Sequence, residues 1–191
     1  VLDNQINLES WLDGGDVKRF HQWPMVYRQQ TVGEHTFNML LISSHLYLEN
    51  IPNFLVSEDE SQYLVEMLSL QQAILFHDLS EGRKGVSDIS GWAKRHYPDL
   101  KKSIKLAESE AENRLGMSKF LDITDASRRR LKVCDKLELQ WTILQQGFMG
   151  NSVLFDATWP VVTGWLEEMF PNMSSSERSL YSDWRKLGDR Y

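Results

Sequence analysis

TVGEHTFNMLLISSHLYL, residues 31–48, opens with a Thr three positions ahead of a Glu and then runs into apolar residues at helical spacing. Thr31-Val32-Gly33-Glu34 fits a capping box, in which the Thr hydroxyl accepts from a first-turn amide and the Glu reaches back to the cap amide. A helix is therefore expected to begin here. Phe37, Leu40, Leu41, Ser44 and Leu48 follow one helical stripe, and His35, Met39 and Ile42 lie on an adjoining one. That places His35 in the first turn, pointing inward.

Working outward, Ser57-Glu58-Asp59-Glu60 offers a second capping box. Behind it Tyr63, Leu64, Met67, Leu68, Ala73, Ile74 and Leu75 suit a well-buried helix ending near Asp78. Glycines, serines and Asp88 between Gly82 and Gly91 read as a loop, and Ser103 to Leu115 reads as a helix closed by Gly116. Thr124 or Asp125 caps a helix through about Gln146, on which Leu131, Asp135 and Leu139 stack at intervals of four. Trp159 to Phe170 and Ser174 to Leu187 are amphipathic and read as packing helices. Strand-length alternation, Gly-rich phosphate loops and internal repeats are absent from the sequence. The expectation is an all-α helical bundle in a single domain spanning residues 1–191.

The 41% apolar and 25% charged content is that of a globular chain, and the net charge of −6 argues against a broad duplex-binding surface, so no duplex nucleic acid is expected as partner. Cys134 is the single cysteine, which excludes an intramolecular disulfide or a multi-cysteine zinc site. No apolar run is long enough to span a bilayer and no signal-peptide pattern opens the chain, so a cytoplasmic location without membrane association is expected. Seven tryptophans are many for this length. Trp159, Trp165 and Trp184 fall on helical stripes and are read as core or subunit interface, hence an expected homo-oligomer.

The adjacent pair His77-Asp78 is weak evidence of chemistry by itself, since a helix-end His beside an acid is easily structural. Three further features occur in order around it: Glu34-His35 upstream at a helix start, Glu81 four residues after His77, and Asp135 inside an apolar stripe downstream. His35 alone would be read as a core histidine bonded to a backbone carbonyl. Asp135 alone would be read as paired with Lys132 or Arg128 on a solvated face. Two imidazoles and two carboxylates suit a divalent ion such as Mn, Fe, Co, Ni or Zn and leave room for water and a phosphate oxygen.

In Glu34-His35, His77-Asp78 and Asp135 the chain resembles the HD-domain metallophosphohydrolases, whose ligands come from an upstream His, an adjacent His-Asp pair and a downstream Asp. From about Asp16 to Trp141 it is similar to bacterial 5′-deoxynucleotidases and phage dATP triphosphohydrolases. Arg19 before an aromatic, the run His77-Asp78-Leu79-Ser80-Glu81, and Asp88 with Lys94 six residues later carry that likeness. The resemblance implies metal ligation by His35, His77, Asp78 and Asp135. It also implies proton handling by Glu81 with help from Asp88, and phosphate contacts from Arg19 and Lys94. Phe20, His21 and Trp23 would wall in a base or seal the first helix junction. The chain departs from the family at Ser87-Asp88-Ile89-Ser90-Gly91, which lacks the prolines of the family loop, and at Phe20-His21, where the deoxynucleotidases carry Trp-Pro. Arg19-Phe20-His21 with Gln30 to His35 is closer to the phage type. The implied reaction is hydrolysis of a deoxynucleoside triphosphate, preferentially dATP, to nucleoside and triphosphate, with a further Mg ion accompanying the substrate. A nucleotidase acting on deoxynucleoside monophosphates is the nearest alternative, and a catalytically silent nucleotide-binding regulatory module is the alternative of another class.

Overall fold

A computed structural model describes residues 15–19, 29–48, 60–81 and 96–191, the side chains of Glu60 and Glu81 excepted. Among these residues there are seven α-helices and no strand: α1 (Val32–Ser43), α2 (Glu60–Phe76), α3 (Pro98–Arg114), α4 (Ser118–Leu121), α5 (Asp125–Phe148), α6 (Ser152–Met169) and α7 (Ser175–Gly188). A π turn, Ser44–Leu48, extends α1, and a 3-10 turn, Leu79–Glu81, follows α2. The protein is an all-α helical bundle, as its sequence predicts. No helix among the described residues is long and apolar enough to cross a membrane.

The capping box at Thr31 and Glu34 forms as expected, with Glu34 N–H donating to Thr31 Oγ1 at 3.1 Å and Thr31 N–H donating to Glu34 Oε2 at 2.9 Å. α5 is the central helix and packs against α1, α2, α6 and α7. Its buried Val133, Cys134, Leu137, Ile143 and Leu144 meet Met39 and Ile42 of α1, Leu70 and Ile74 of α2, and Trp159, Val162 and Leu166 of α6 in one apolar core. Within that core burial pushes the Cys134 thiol up to about 12.

Several helix details differ from the sequence reading. The core face of α1 is the stripe of Val32, His35, Met39 and Ile42, whereas Phe37 and Leu41 are 59% and 55% exposed. On α2, Met67, Leu70, Ala73 and Ile74 are buried while Leu64, Leu68 and Leu75 face outward, so this helix is buried along one side only. Periodicity marks several apolar stripes, and the neighbours decide which one is covered. α3 begins at Pro98 instead of Ser103, because a proline in the first turn gives up an N–H that has no helical partner there. Its last residue is Arg114, and Gly116, whose φ of 69° is left-handed, closes it as expected. α6 begins at Ser152, capped by Asn151, and carries Pro160 inside it instead of starting near Trp159. The Ser57 to Glu60 capping box and the Gly82 to Gly91 loop lie outside the described residues.

Gly188 ends α7 against Trp159: a Cβ there would fall 2.0 Å from Cζ2 of the indole. Trp159 is itself buried and stacked on Phe155 at 5.1 Å between ring centroids, so the ring has little room to yield. Gly188→Ala should therefore destabilise the fold by about 1–3 kcal/mol. Gly164→Ala, inside α6 with nothing within 4 Å of the new carbon, should stabilise it by roughly 0.5–1 kcal/mol. Urea denaturation of the two variants beside the parent checks both signs.

Candidate metal centre

α1, α5 and the turn after α2 bring together residues separated by up to a hundred positions. His35 enters from the first turn of α1 and is fully buried. His77 and Asp78 follow the last residue of α2, where the chain leaves the helix. Asp135 projects from the middle of α5. His35 Nε2 lies 3.5 Å from Asp78 Oδ2 and 3.5 Å from Asp135 Oδ1, and His77 Nε2 lies 3.4 Å from Asp78 Oδ2. One ligand atom from each of His35, His77 and Asp135 falls within 4.8 Å of the others, so these three form a group that could hold a metal ion.

The imidazole hydrogen bonds define what this group can do. His77 Nδ1–H donates to the Ile74 carbonyl at 2.7 Å, one turn back along the chain. His35 Nδ1–H donates to Glu138 Oε2 at 2.6 Å. In the neutral ring a proton on Nδ1 leaves the Nε2 lone pair free to ligate, and among the described residues both Nε2 atoms are buried without a hydrogen-bond partner. A buried lone pair with no partner is costly, and two of them aimed at one point beside carboxylates match the donor set of a borderline divalent ion. The residues therefore fit such an ion, and the structure does not determine which one.

The electrostatics agree with that donor set. Burial works against ionisation of Asp78, but His77, His35 and Arg19 outweigh it and hold the carboxyl below its usual range. Asp135 is likewise opposed by burial and held well below its usual range by Lys136, His35, Arg19 and His77. Among the described residues its lysine or arginine partner is Lys136 at 2.7 Å, in place of the expected Lys132 or Arg128. Both carboxylates are thus poised as anions, the form a cation binds.

Glu138, one turn beyond Asp135 on α5, was not singled out from sequence. It is fully buried and lies behind His35. Arg19, expected to contact phosphate, places Nη1 3.4 Å from Glu138 Oε2 and 3.2 Å from Gln30 Oε1, with its side chain 13% exposed. It adjoins the centre through this carboxylate. Glu81 closes the 3-10 turn after His77-Asp78, one short turn from the centre by its backbone, and its side chain lies outside the described atoms. Asp88, Lys94, Phe20, His21 and Trp23 lie outside the described residues. A separate cleft of about 520 Å³, lined by Arg129, Val133, Glu168, Met169 and Asn172, contains none of the residues expected to act.

Comparison with protein-family models, curated proteins and solved structures finds no match to this chain.

Proposed function

We propose that the protein is a divalent-metal-dependent phosphohydrolase acting on a nucleotide. One observation carries this reading: two buried imidazole Nε2 atoms that have no hydrogen-bond partner among the described residues, each with its Nδ1 side pinned, gather with the Asp135 carboxylate. His35, His77 and Asp135 would hold the ion, with Asp78 beside them completing the ligand set. When bound, an ion such as Co, Mn, Zn, Fe or Ni polarises a phosphate oxygen and lowers the pKa of a water molecule toward neutrality.

The chain's own groups do the rest. Buried α1 and α5 fix His35 and Asp135 on rigid elements, so the ligands need little reorganisation. Glu81, following the His-Asp pair by one turn, takes up and returns the proton of the attacking water, and Asp88 assists at the scissile oxygen. Arg19 and Lys94 offset phosphate charge. Following the resemblance in residues 16–141, the substrate is a deoxynucleoside triphosphate, preferentially dATP, cleaved at the α-phosphorus to nucleoside and triphosphate.

The test is a panel of nucleoside mono- and triphosphates incubated with the chelator-treated protein plus Co, Mn or Mg, with products resolved by chromatography. Deoxyadenosine and intact triphosphate from dATP are expected. Inorganic phosphate released from monophosphates alone would replace this reading with a 5′-deoxynucleotidase, and no metal-dependent turnover on any member would leave a silent nucleotide-binding module.

A further inference from the structure

Glu138 collects five donors among the described residues. Oε2 accepts from His35 Nδ1 at 2.6 Å and Arg19 Nη1 at 3.4 Å. Oε1 accepts from Gln30 Nε2 at 2.6 Å, Asn38 Nδ2 at 3.0 Å and Thr142 Oγ1 at 3.0 Å. Every neighbour points a hydrogen at it, so only an acceptor-only group, an ionised carboxylate, satisfies the site.

The imidazole of His35 has two neutral tautomers, and the group facing Nδ1 selects between them. A carboxylate 2.6 Å away accepts and cannot donate, so in the neutral ring the proton sits on Nδ1 and the lone pair on Nε2, the atom facing Asp78 and Asp135. We infer that Glu138 is a positioning residue that holds His35 in its ligating tautomer and orientation and ties that setting to Arg19 and Gln30 from the segment preceding α1. This rests on the metal-centre reading above. Glu138 itself touches no ion or substrate in this scheme. Its action runs through His35, as carboxylates behind metal-bound histidines act generally.

Glu138→Gln exposes this role because an amide has an accepting end and a donating end. With its oxygen toward Gln30, Asn38 and Thr142, its NH₂ faces His35 Nδ1 and favours the tautomer protonated on Nε2. That proton must be displaced before the nitrogen can ligate. Asn38→Ala removes one donor from the same carboxylate and leaves the His35 contact in place, so it serves as the packing control.

The experiment is ¹⁵N–¹H long-range NMR of the histidine rings in the chelator-treated protein, followed by cobalt(II) titration read by visible absorption. In the parent, at a pH where the ring is neutral, His35 should carry its proton on Nδ1 and leave Nε2 bare. Glu138→Gln should shift it toward Nε2 protonation and weaken cobalt binding about 10–100-fold, while Asn38→Ala changes neither. A neutral parent His35 that carries its proton on Nε2 in place of Nδ1 would overturn the inference without any variant. So would a Glu138→Gln protein that keeps both the parent tautomer and the parent cobalt affinity. A parent with the Nδ1-protonated His35 that takes up no cobalt would sink the metal-centre reading itself, and Glu138's role with it.

Discussion

Asp135→Ala should abolish the thermal stabilisation that cobalt or manganese gives the parent and lower metal-dependent turnover by on the order of 10³-fold or more. The reasoning is one of linkage. An ion that binds only the folded chain adds RT ln(1 + [L]/Kd), about 2.7 kcal/mol at a hundred times Kd, and that increment disappears when a ligand is lost. The metal-free protein should behave differently. Asp135 and Asp78 repel each other across the centre, and Asp135 opposes ionisation of its neighbour. Removing one of two like charges offsets much of the lost contact with Lys136 and His35. Melting curves of both proteins with and without metal check this: the chelated pair should nearly coincide and only the parent should respond to the ion. A variant that keeps the response would remove Asp135 from the centre.

The largest effect on stability is expected at Glu177, far from the metal residues. This side chain is fully buried. Its Oε1 accepts from Tyr47 Oη at 2.6 Å, Arg129 Nη1 lies 3.1 Å from Oε2, and the Ser174 N–H donates to Oε2 at 2.5 Å to close the capping box of α7. One carboxylate thereby fastens α7 to the π turn after α1 and to α5. Glu177→Ala leaves a buried phenol and a half-buried guanidinium without this carboxylate and removes one of the two capping-box bonds of α7, a loss of about 3 kcal/mol measurable by denaturant unfolding.

The pH dependence at Glu177 has a definite sign. Burial opposes its ionisation, but the Tyr47 bond, the Ser174 amide and Arg129 prevail, so its pKa falls on folding. The stability it contributes is therefore complete above the unfolded value of about 4.3 and drains away as pH drops through the lower folded value. The difference between the parent and Glu177→Ala should be constant near neutrality and narrow below about pH 4. A difference that grows in acid would contradict this assignment.

The parts of this account legible in the sequence are those with local signatures. Thr31 and Glu34 announce the start of α1 and, with the stripe of Met39 and Ile42, turn His35 inward. His77-Asp78 falls where the α2 pattern runs out, and Asp135 sits between two leucines of one stripe. Glu138 was not legible, because an acid one turn along a charged helix reads as solvated. The groups that make it necessary, Gln30, His35 and Asn38, lie 100 or more positions away. Its one local hint is that it shares the inward side of α5 with Asp135. The outward exposure of Phe37 and Leu41 was hidden for the same kind of reason: it depends on which neighbours arrive. The first two turns of α6 were missed because the sequence reading followed the amphipathic stripe of Val162, Trp165, Leu166 and Met169, while Ser152 to Thr158 precede that stripe.

The most direct test of the metal centre is an anomalous-scattering map at the cobalt edge from crystals grown with cobalt(II). The account predicts a peak about 2.0–2.2 Å from His35 Nε2, His77 Nε2 and an Asp135 carboxylate oxygen. Well-ordered side chains at these three positions with cobalt density only elsewhere, or with none at all, would contradict it.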